Sequence, residues 1–249
     1  MRYVLKVAYD GSGFCGWQVQ PNGRTVQEEL NTAVFKAFGE QTQVNASGRT
    51  DSGVHALAQI CHVDLSRHIE GERVADALNF YLPQDVSVLS SAVAPDGFDS
   101  NRSAKKKTYL YSVYCSPRRN PLKDRYSVLL KVAPDPEKLR ECASLYVGEH
   151  DFAAYCAAGS QVKTTVRTIY SFTVEEAEGE IKFKVCGNGF LYNMVRTLVG
   201  TCIWYAYGKI DKERVISSLS TGNRALVGKT MPPQGLCLID VDYGIELFN

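Results

Sequence analysis

The sequence holds no two cysteines close enough along the chain for a short metal-ligand spacing. The eight, at 15, 61, 115, 142, 156, 186, 202 and 237, form no CxxC and no other short ligand spacing. Several lie in apolar stretches, as Cys202 does in Val199-Gly-Thr-Cys-Ile-Trp204, where a reduced cysteine serves as a small hydrophobe, so no disulfide framework is expected. Apolar runs of membrane length are missing as well: the most apolar stretch, 190–207, carries Asn193 and Arg196 and is punctuated by Gly200, which excludes a bilayer span. Lys6 interrupts the amino-terminal apolar run and no cleavage-site pattern follows, so no signal peptide is expected and the default address is the cytoplasm. Net charge is nearly absent, 28 Lys+Arg against 27 Asp+Glu leaving +1, and the bulk balance alone does not mark a nucleic-acid binder. There is no internal sequence repeat.

What is present is length and pattern. The chain has 249 residues, 45% hydrophobic and 22% charged, enough for one large domain or two small ones with a core that needs no staples. Residues 2–9 are β-branched and aromatic enough for a strand, and Asp10-Gly11-Ser12-Gly13 supplies a turn straight after. From Thr25 the period changes: Val26, Leu30, Ala33, Val34, Ala37 and Phe38 fall at helical spacing, and Thr25 with Glu28 makes a capping box. Strands are expected at 58–65, 85–93 and 107–115, with a helix at 72–81. Further helices are expected from Pro134-Asp135-Pro136 to about 147, over 190–207 and over 212–219; a hairpin spans 165–175 and 180–186 around Gly179, and a strand closes the chain at 236–243. Helices set among antiparallel-looking strands argue for an α+β fold, in two related α/β lobes at 1–104 and 105–249.

The charge is segregated. Between Arg102 and Arg125 stand eight basic residues, Arg102, Lys105, Lys106, Lys107, Arg118, Arg119, Lys123 and Arg125, against the single acid Asp124. Interleaved with Tyr109, Tyr111 and Tyr114, this stretch reads either as a surface that tracks phosphates and stacks bases or as a strand edge guarded by lysines.

The densest polar run is Ser47-Gly48-Arg49-Thr50-Asp51-Ser52-Gly53-Val54-His55-Ala56. A carboxylate at 51, kept ionised by an arginine two residues away, suits a nucleophile or base; the plainer reading is an aspartate that caps its own turn. Asp51, His55 and His62 match no strong zinc pattern, and no metal is expected. Arg196, with Tyr192 and Gly200 one turn to either side in an apolar helix, needs an anionic partner or must snorkel to water.

Taken together, the motifs resemble those of the tRNA pseudouridine synthase A family. Those that carry the resemblance are Tyr9-Asp10-Gly11 with Gly16-Trp17-Gln18, Gly48-Arg49-Thr50-Asp51 running into Gly53-Val54-His55, and Lys105 to Tyr111. Gly148-Glu149-His150-Asp151-Phe152, Asn188-Gly189-Phe190-Leu191-Tyr192-Asn193-Met194-Val195-Arg196, and Gly235-Leu236 with Leu238 complete the set, which covers nearly the whole chain in order. The resemblance implies conversion of uridine to pseudouridine at positions 38 to 40 of the tRNA anticodon stem-loop. It further implies two lobes whose mixed, mainly antiparallel sheets meet at a central RNA-binding cleft, a homodimer in which one tRNA touches both subunits, and no cofactor, since the isomerisation involves neither redox change nor net hydrolysis.

By the same resemblance Asp51 is the catalytic nucleophile or base, and whether it attacks the sugar, adds to the base or removes a proton stays open. Tyr109 stacks on the target base, Arg49 enters the RNA stem and holds the nucleotide out of its stack, Arg196 pairs with the catalytic carboxylate, and Leu238 lines the base pocket. Arg102, Lys105, Lys106 and Lys107 are the expected contacts to the RNA backbone. Two positions depart from the family pattern: Ser52 stands where alanine is frequent, and Phe98-Asp99-Ser100-Asn101 stands where Phe-x-Ala-Arg is usual, with Arg102 following. The competing readings are a non-catalytic RNA-binding module and a metal-dependent hydrolase built on Asp51, His55 and His62. A carboxylate set between Arg49 and His55 weakens phosphate binding and so favours catalysis over binding alone.

Overall fold

A computed structural model describes residues 1–159 and 162–248. The chain groups into two compact units, one made of Met1–Lys106 with the chain from Leu238 onward, the other of Lys107–Cys237. The first unit runs β1 (Arg2–Tyr9), α1 (Val26–Phe38), β2 (Asn45–Ala46), β3 (His55–Asp64), α2 (Arg73–Asn79) and β4 (Val86–Val93). β1 is central because its residues can be buried on both faces: Tyr3, Val4, Leu5, Val7 and Tyr9 are all in the core. It pairs antiparallel with β3, Arg2 opposite Asp64, and with β4, Tyr3 opposite Val93. α1 starts where the Thr25 hydroxyl accepts the Glu28 N–H, and Leu30, Ala33, Val34 and Phe38 form the buried stripe that the helical spacing predicts.

The second unit runs β5 (Lys106–Cys115), β6 (Val128–Leu130), α3 (Pro136–Ser144), β7 (Gly148–Asp151), β8 (Val166–Ala177), β9 (Glu180–Gly187), α4 (Met194–Ala206) and α5 (Lys212–Thr221). Its strands lie in the order β5-β9-β8-β7, all antiparallel, with β6 parallel to β5. One face of this sheet is apolar: Tyr111 and Val113 lie opposite Phe183 and Ile181, with Val174 and Phe172 beyond. Tyr146, Phe152 and Tyr155 add an aromatic cluster, in which the Tyr155 hydroxyl meets those of Tyr146 at 3.0 Å and Ser218 at 2.7 Å.

The chain then returns to the first unit, where β10 (Leu236–Asp242) lies beside β3 and completes the order β4-β1-β3-β10, while β2 pairs separately with β3. Lys105 donates its N–H to Asp242 O at 2.8 Å, the Tyr243 hydroxyl donates to Ser100 O at 2.6 Å, and the Phe98 and Tyr243 rings lie 5.0 Å apart. The expected division, which put all of 105–249 in one lobe, differs here: the closing strand finds its ladder partner in the first unit. The α+β class is the one the pattern predicts.

The helix expected over 190–207 begins only at Met194. Asn193 is left-handed, with φ 62, and a helix cannot continue back through it. Tyr192 therefore precedes the helix and is exposed, and Arg196 stands in its first turn. β2, β6 and β7 were not expected, because strands of two to four residues carry too little alternation to be read.

Candidate active site

In the first unit, the polar run lies in the loop between β2 and β3, and it is held from four sides. Ser47 donates its N–H to Ile60 O at 2.7 Å and its hydroxyl to Gln59 Oε1 at 2.6 Å, and the Gln59 amide donates on to Gly48 O at 2.8 Å. Gln59 is fully buried, so its amide is committed to this loop. Asn101 donates to Ser47 O at 2.6 Å from a second segment. From a third, Trp17 gives its N–H to Thr50 O at 3.1 Å while the Tyr9 hydroxyl bonds Thr50 Oγ1 at 2.8 Å.

The fourth side is the turn itself. Val54 donates its N–H to Asp51 O at 3.1 Å, with Gly53 at φ 77, a conformation costly for any residue with a Cβ. Ser52, the small departure from the family pattern, donates its hydroxyl to Phe14 O at 3.1 Å and tightens the same turn. Gly11 donates its N–H to His55 Nδ1 at 3.0 Å, and a Cβ there would stand 2.0 Å from Val54 O, so only glycine allows this approach. The motif around Tyr9-Asp10-Gly11 and the one around Asp51 are thus two halves of one clamp. Its product is a half-buried carboxylate on a backbone with few alternatives, which is what positioned nucleophilic or base chemistry requires.

Arg49 is exposed next to this clamp and makes no hydrogen bond or ion pair with the described residues. Leu238, on β10, is 1% exposed. Asp99 accepts the N–H groups of Asn101 and Arg102, each at 2.9 Å, and these bonds hold its carboxyl below the usual carboxylate range. This Asx turn presents the Arg102 side chain to solvent while Asn101 turns inward to Ser47. Lys105 and Lys106 are exposed, the latter with its Nζ 4.0 Å from Asp242 Oδ2.

The histidines serve the frame. Ser100 donates its N–H to His62 Nδ1 at 3.1 Å, and burial lowers the pKa of that ring below the usual histidine value. Because His55 Nδ1 accepts from Gly11, its lone pair is occupied on that side. Among the described residues no three His, Cys, Asp or Glu side chains could hold a metal ion. The hydrolase reading built on Asp51, His55 and His62 thus has no ligand set.

In the second unit, Tyr109 is buried on β5 and meets Phe190 edge-on, ring centroids 5.2 Å apart. Of the three interleaved tyrosines expected as stacking platforms, two are structural: Tyr111 is fully buried with its hydroxyl on Pro232 O at 2.7 Å, and Tyr114 donates to Asp124. Burial drives the Tyr111 phenol far above its ordinary value. Arg196 donates its Nε to Met231 O at 2.7 Å and its Nη1 to Asn193 Oδ1 at 2.6 Å. A cation in the first turn of α4 opposes the helix dipole by about 0.3–1 kcal/mol, and that position favours an anion nearby. Lys107, half-buried at the start of the β5 ladder, has its pKa lowered to about 8 by burial and then by the charge of Arg167.

Gln59 is a positioning residue that the sequence reading missed, and the positioning roles of Tyr9 and Asn101, named there only as parts of motifs, were missed as well. Their hydrogen bonds join segments 40 or more residues apart in the case of Tyr9–Thr50 and Asn101–Ser47, and no local spacing signals such pairs.

A family model described as tRNA pseudouridine synthase matches residues 6–99 and 142–244, well over half of the chain. Among curated relatives, the tRNA pseudouridine synthase A of Shouchella clausii (strain KSM-K16) is 41% identical over 99% of this chain and 95% of its own length. That of Geotalea uraniireducens (strain Rf4) is 41% identical over 98% of this chain and 100% of its own length. A solved Cbf5-Nop10-Gar1 complex gives a TM-score of 0.41 at 13% identity over 95% of this chain and 48% of that chain, a likeness too slight to bear on the fold.

Proposed function

The chain belongs to the tRNA pseudouridine synthase family, and from that premise we propose that it isomerises uridine to pseudouridine at positions 38 to 40 of the tRNA anticodon stem-loop, with Asp51 as the catalytic nucleophile or base. The observation that carries this reading is the four-sided clamp on the Gly48-Arg49-Thr50-Asp51 loop, which fixes a half-buried carboxylate beside an exposed arginine. The reaction breaks the N-glycosidic bond of the target uridine, turns the base, and joins C5 to the sugar, C5 losing its proton and the freed N1 taking one up, so a carboxylate that can attack or accept a proton is the group it needs. Flipping the nucleotide costs a few kcal/mol; Arg49 supplies a side chain to fill the vacated stack and Tyr109 an aromatic face for the base. Arg196 serves the carboxylate as its cationic partner, and Leu238 lines the base pocket. Arg102, Lys105, Lys106 and Lys107 contact RNA phosphates. The enzyme acts as a homodimer in the cytoplasm and uses neither metal nor cofactor.

Position-resolved detection of pseudouridine on an unmodified tRNA transcript tests this. Product confined to 38 to 40, formed in the presence of a chelator, is expected. A folded protein that binds the transcript and yields none would leave the non-catalytic RNA-binding reading in its place.

A further inference from the structure

Three helices, α1, α3 and α5, each begin on a residue whose side-chain oxygen accepts an N–H of the first turn: Thr25, Asp135 and Asp211. α4 begins on Asn193, a residue type equally suited to that work, yet its side chain makes no such bond. Asn193 stands at φ 62 and ψ 5, and apart from Glu178 in the hairpin turn it is the one non-glycine residue with positive φ among the described residues. That conformation is costly for a residue with a Cβ, and the missing cap is a second loss. The asparagine oxygen is used elsewhere: Arg196, three residues on, donates its Nη1 to it at 2.6 Å.

A second acceptor reaches Arg196 from later in the same unit. Met231 donates its N–H to Arg196 O at 3.2 Å and receives Arg196 Nε on its own carbonyl at 2.7 Å, so one residue brackets both the backbone and the side chain of the arginine. The segment that carries Met231 lies directly on α4. A Cβ on Gly200 would stand 1.8 Å from Lys229 O, and one on Gly228 would stand 2.5 Å from Gly200 O, so the crossing admits only glycine at both positions. Thr201 Oγ1 accepts the Gly228 N–H at 3.0 Å, and the hydroxyls of Thr197 and Thr230 bond at 3.0 Å. Arg224 closes the segment from outside, its Nη1 on Gly228 O at 2.9 Å and its Nη2 on Thr230 Oγ1 at 3.1 Å. The buried Tyr111 donates its hydroxyl to Pro232 O at 2.7 Å and fixes the peptide that follows.

We infer that Asn193 is a positioning residue for the proposed reaction: with Met231 O it sets the plane of the Arg196 guanidinium, and Thr230 holds the segment that presents that carbonyl. This rests on the role given to Arg196 above, as cationic partner of the catalytic carboxylate. A guanidinium is planar and meets a carboxylate along fixed directions, so its value to the reaction depends on how the plane is turned. One acceptor stands just before α4 and the other on a segment strapped across it, and rotation of the plane breaks both bonds. The left-handed backbone and the missing cap at Asn193 are accounted for by what its oxygen holds.

The test is steady-state kinetics of the full-length protein on an unmodified tRNA transcript, with the melting temperature read alongside. Asn193→Gly removes the acceptor and adopts the left-handed conformation without strain, so its melting temperature should stay near that of wild type. In this variant kcat should fall about tenfold to a hundredfold while KM for tRNA stays within about twofold, because the cation is present but misdirected. Thr230→Val keeps the shape and removes the hydroxyl, so it should show the same split to a lesser degree, and Thr230→Ser should restore kcat. A kcat within about twofold of wild type in both Asn193→Gly and Thr230→Val, or a loss expressed in KM alone, would overturn the inference. A wild type that makes no pseudouridine defeats the reaction proposed above, whereas an active wild type with an equally active Asn193→Gly variant defeats only this positioning role.

Discussion

The loop that carries Asp51 and the strand end that carries Lys107 and Tyr109 are built on opposite plans. Around Asp51 the frame is neutral and saturated: Gln59, Asn101, Tyr9, Trp17 and Ser52 each spend a polar atom on the loop backbone or on Thr50. Around Lys107 the frame is apolar, with Tyr109, Val185 and Ile169 buried on the same face, and burial lowers the lysine's pKa to about 8. A carboxylate that must reach one atom of a substrate needs a single backbone conformation, so its surroundings use up their hydrogen bonds internally. Cations that must attract a phosphate gain from partial desolvation, because their field is screened less. The first plan suits chemistry and the second suits recognition.

The contrast breaks most sharply at Gly11. Gly11→Ala puts a methyl 2.0 Å from Val54 O, and backbone cannot yield as a flexible side chain would. A loss of about 2–3 kcal/mol is expected in denaturant unfolding, together with loss of activity. An unchanged midpoint would mean that the clamp between 9–11 and 51–55 is looser than drawn. Next comes Gln59→Leu, which removes the bonds that Gln59 makes to Ser47 Oγ and Gly48 O at a fully buried position and should cost about 1–3 kcal/mol. If the loop is a positioning device, kcat falls in this variant while KM for tRNA changes little. A rise in KM alone would assign Gln59 to binding.

Smaller effects are expected on the charged side. Lys105→Ala with Lys107→Ala should weaken tRNA binding and reduce the salt slope by about 1.8, near 0.9 for each phosphate contact. A slope equal to that of wild type would mean these lysines face away from RNA.

The smallest effect is the pH response of Lys107, whose pKa stands at about 8 against 10.5 for an ordinary lysine. The folded chain loses this proton as pH rises through about 8, so affinity for tRNA declines there, and Lys107→Arg should remove that decline. Stability moves the other way. Between about 8 and 10.5 the unfolded chain binds the proton that the folded chain has released, so this group makes folding more favourable as pH rises through that window. Parallel rather than opposite trends in affinity and stability would contradict the assignment.

Legibility in the sequence followed the range of the interactions. α1 could be read because its cap at Thr25 and its stripe from Leu30 to Phe38 are local, and so could the hairpin of β8 and β9, whose turn is Glu178-Gly179. The start of α4 misled because 190–193 is as apolar as the helix it precedes, and only the left-handed Asn193 separates them. The return of β10 to β3 depends on pairing across most of the chain, which periodicity does not encode. At the site, residue types alone left Asp51 balanced between a turn cap and a catalytic carboxylate, and resemblance to a family tipped the choice. Gln59 was silent because its work is tertiary, and Asn101 showed in the sequence only as a departure from the family pattern, since its bond to Ser47 O spans 54 residues.

The central claim is that the charge at Asp51 is used in chemistry and the frame around it only places it. Asp51→Asn keeps the shape and the turn while removing the charge, so the most direct measurement compares this variant with wild type on one unmodified tRNA transcript, reading both pseudouridine at each position and the binding constant. The account predicts that product at 38 to 40 disappears while binding stays within about threefold, less than 1 kcal/mol. Retained turnover in Asp51→Asn would contradict it.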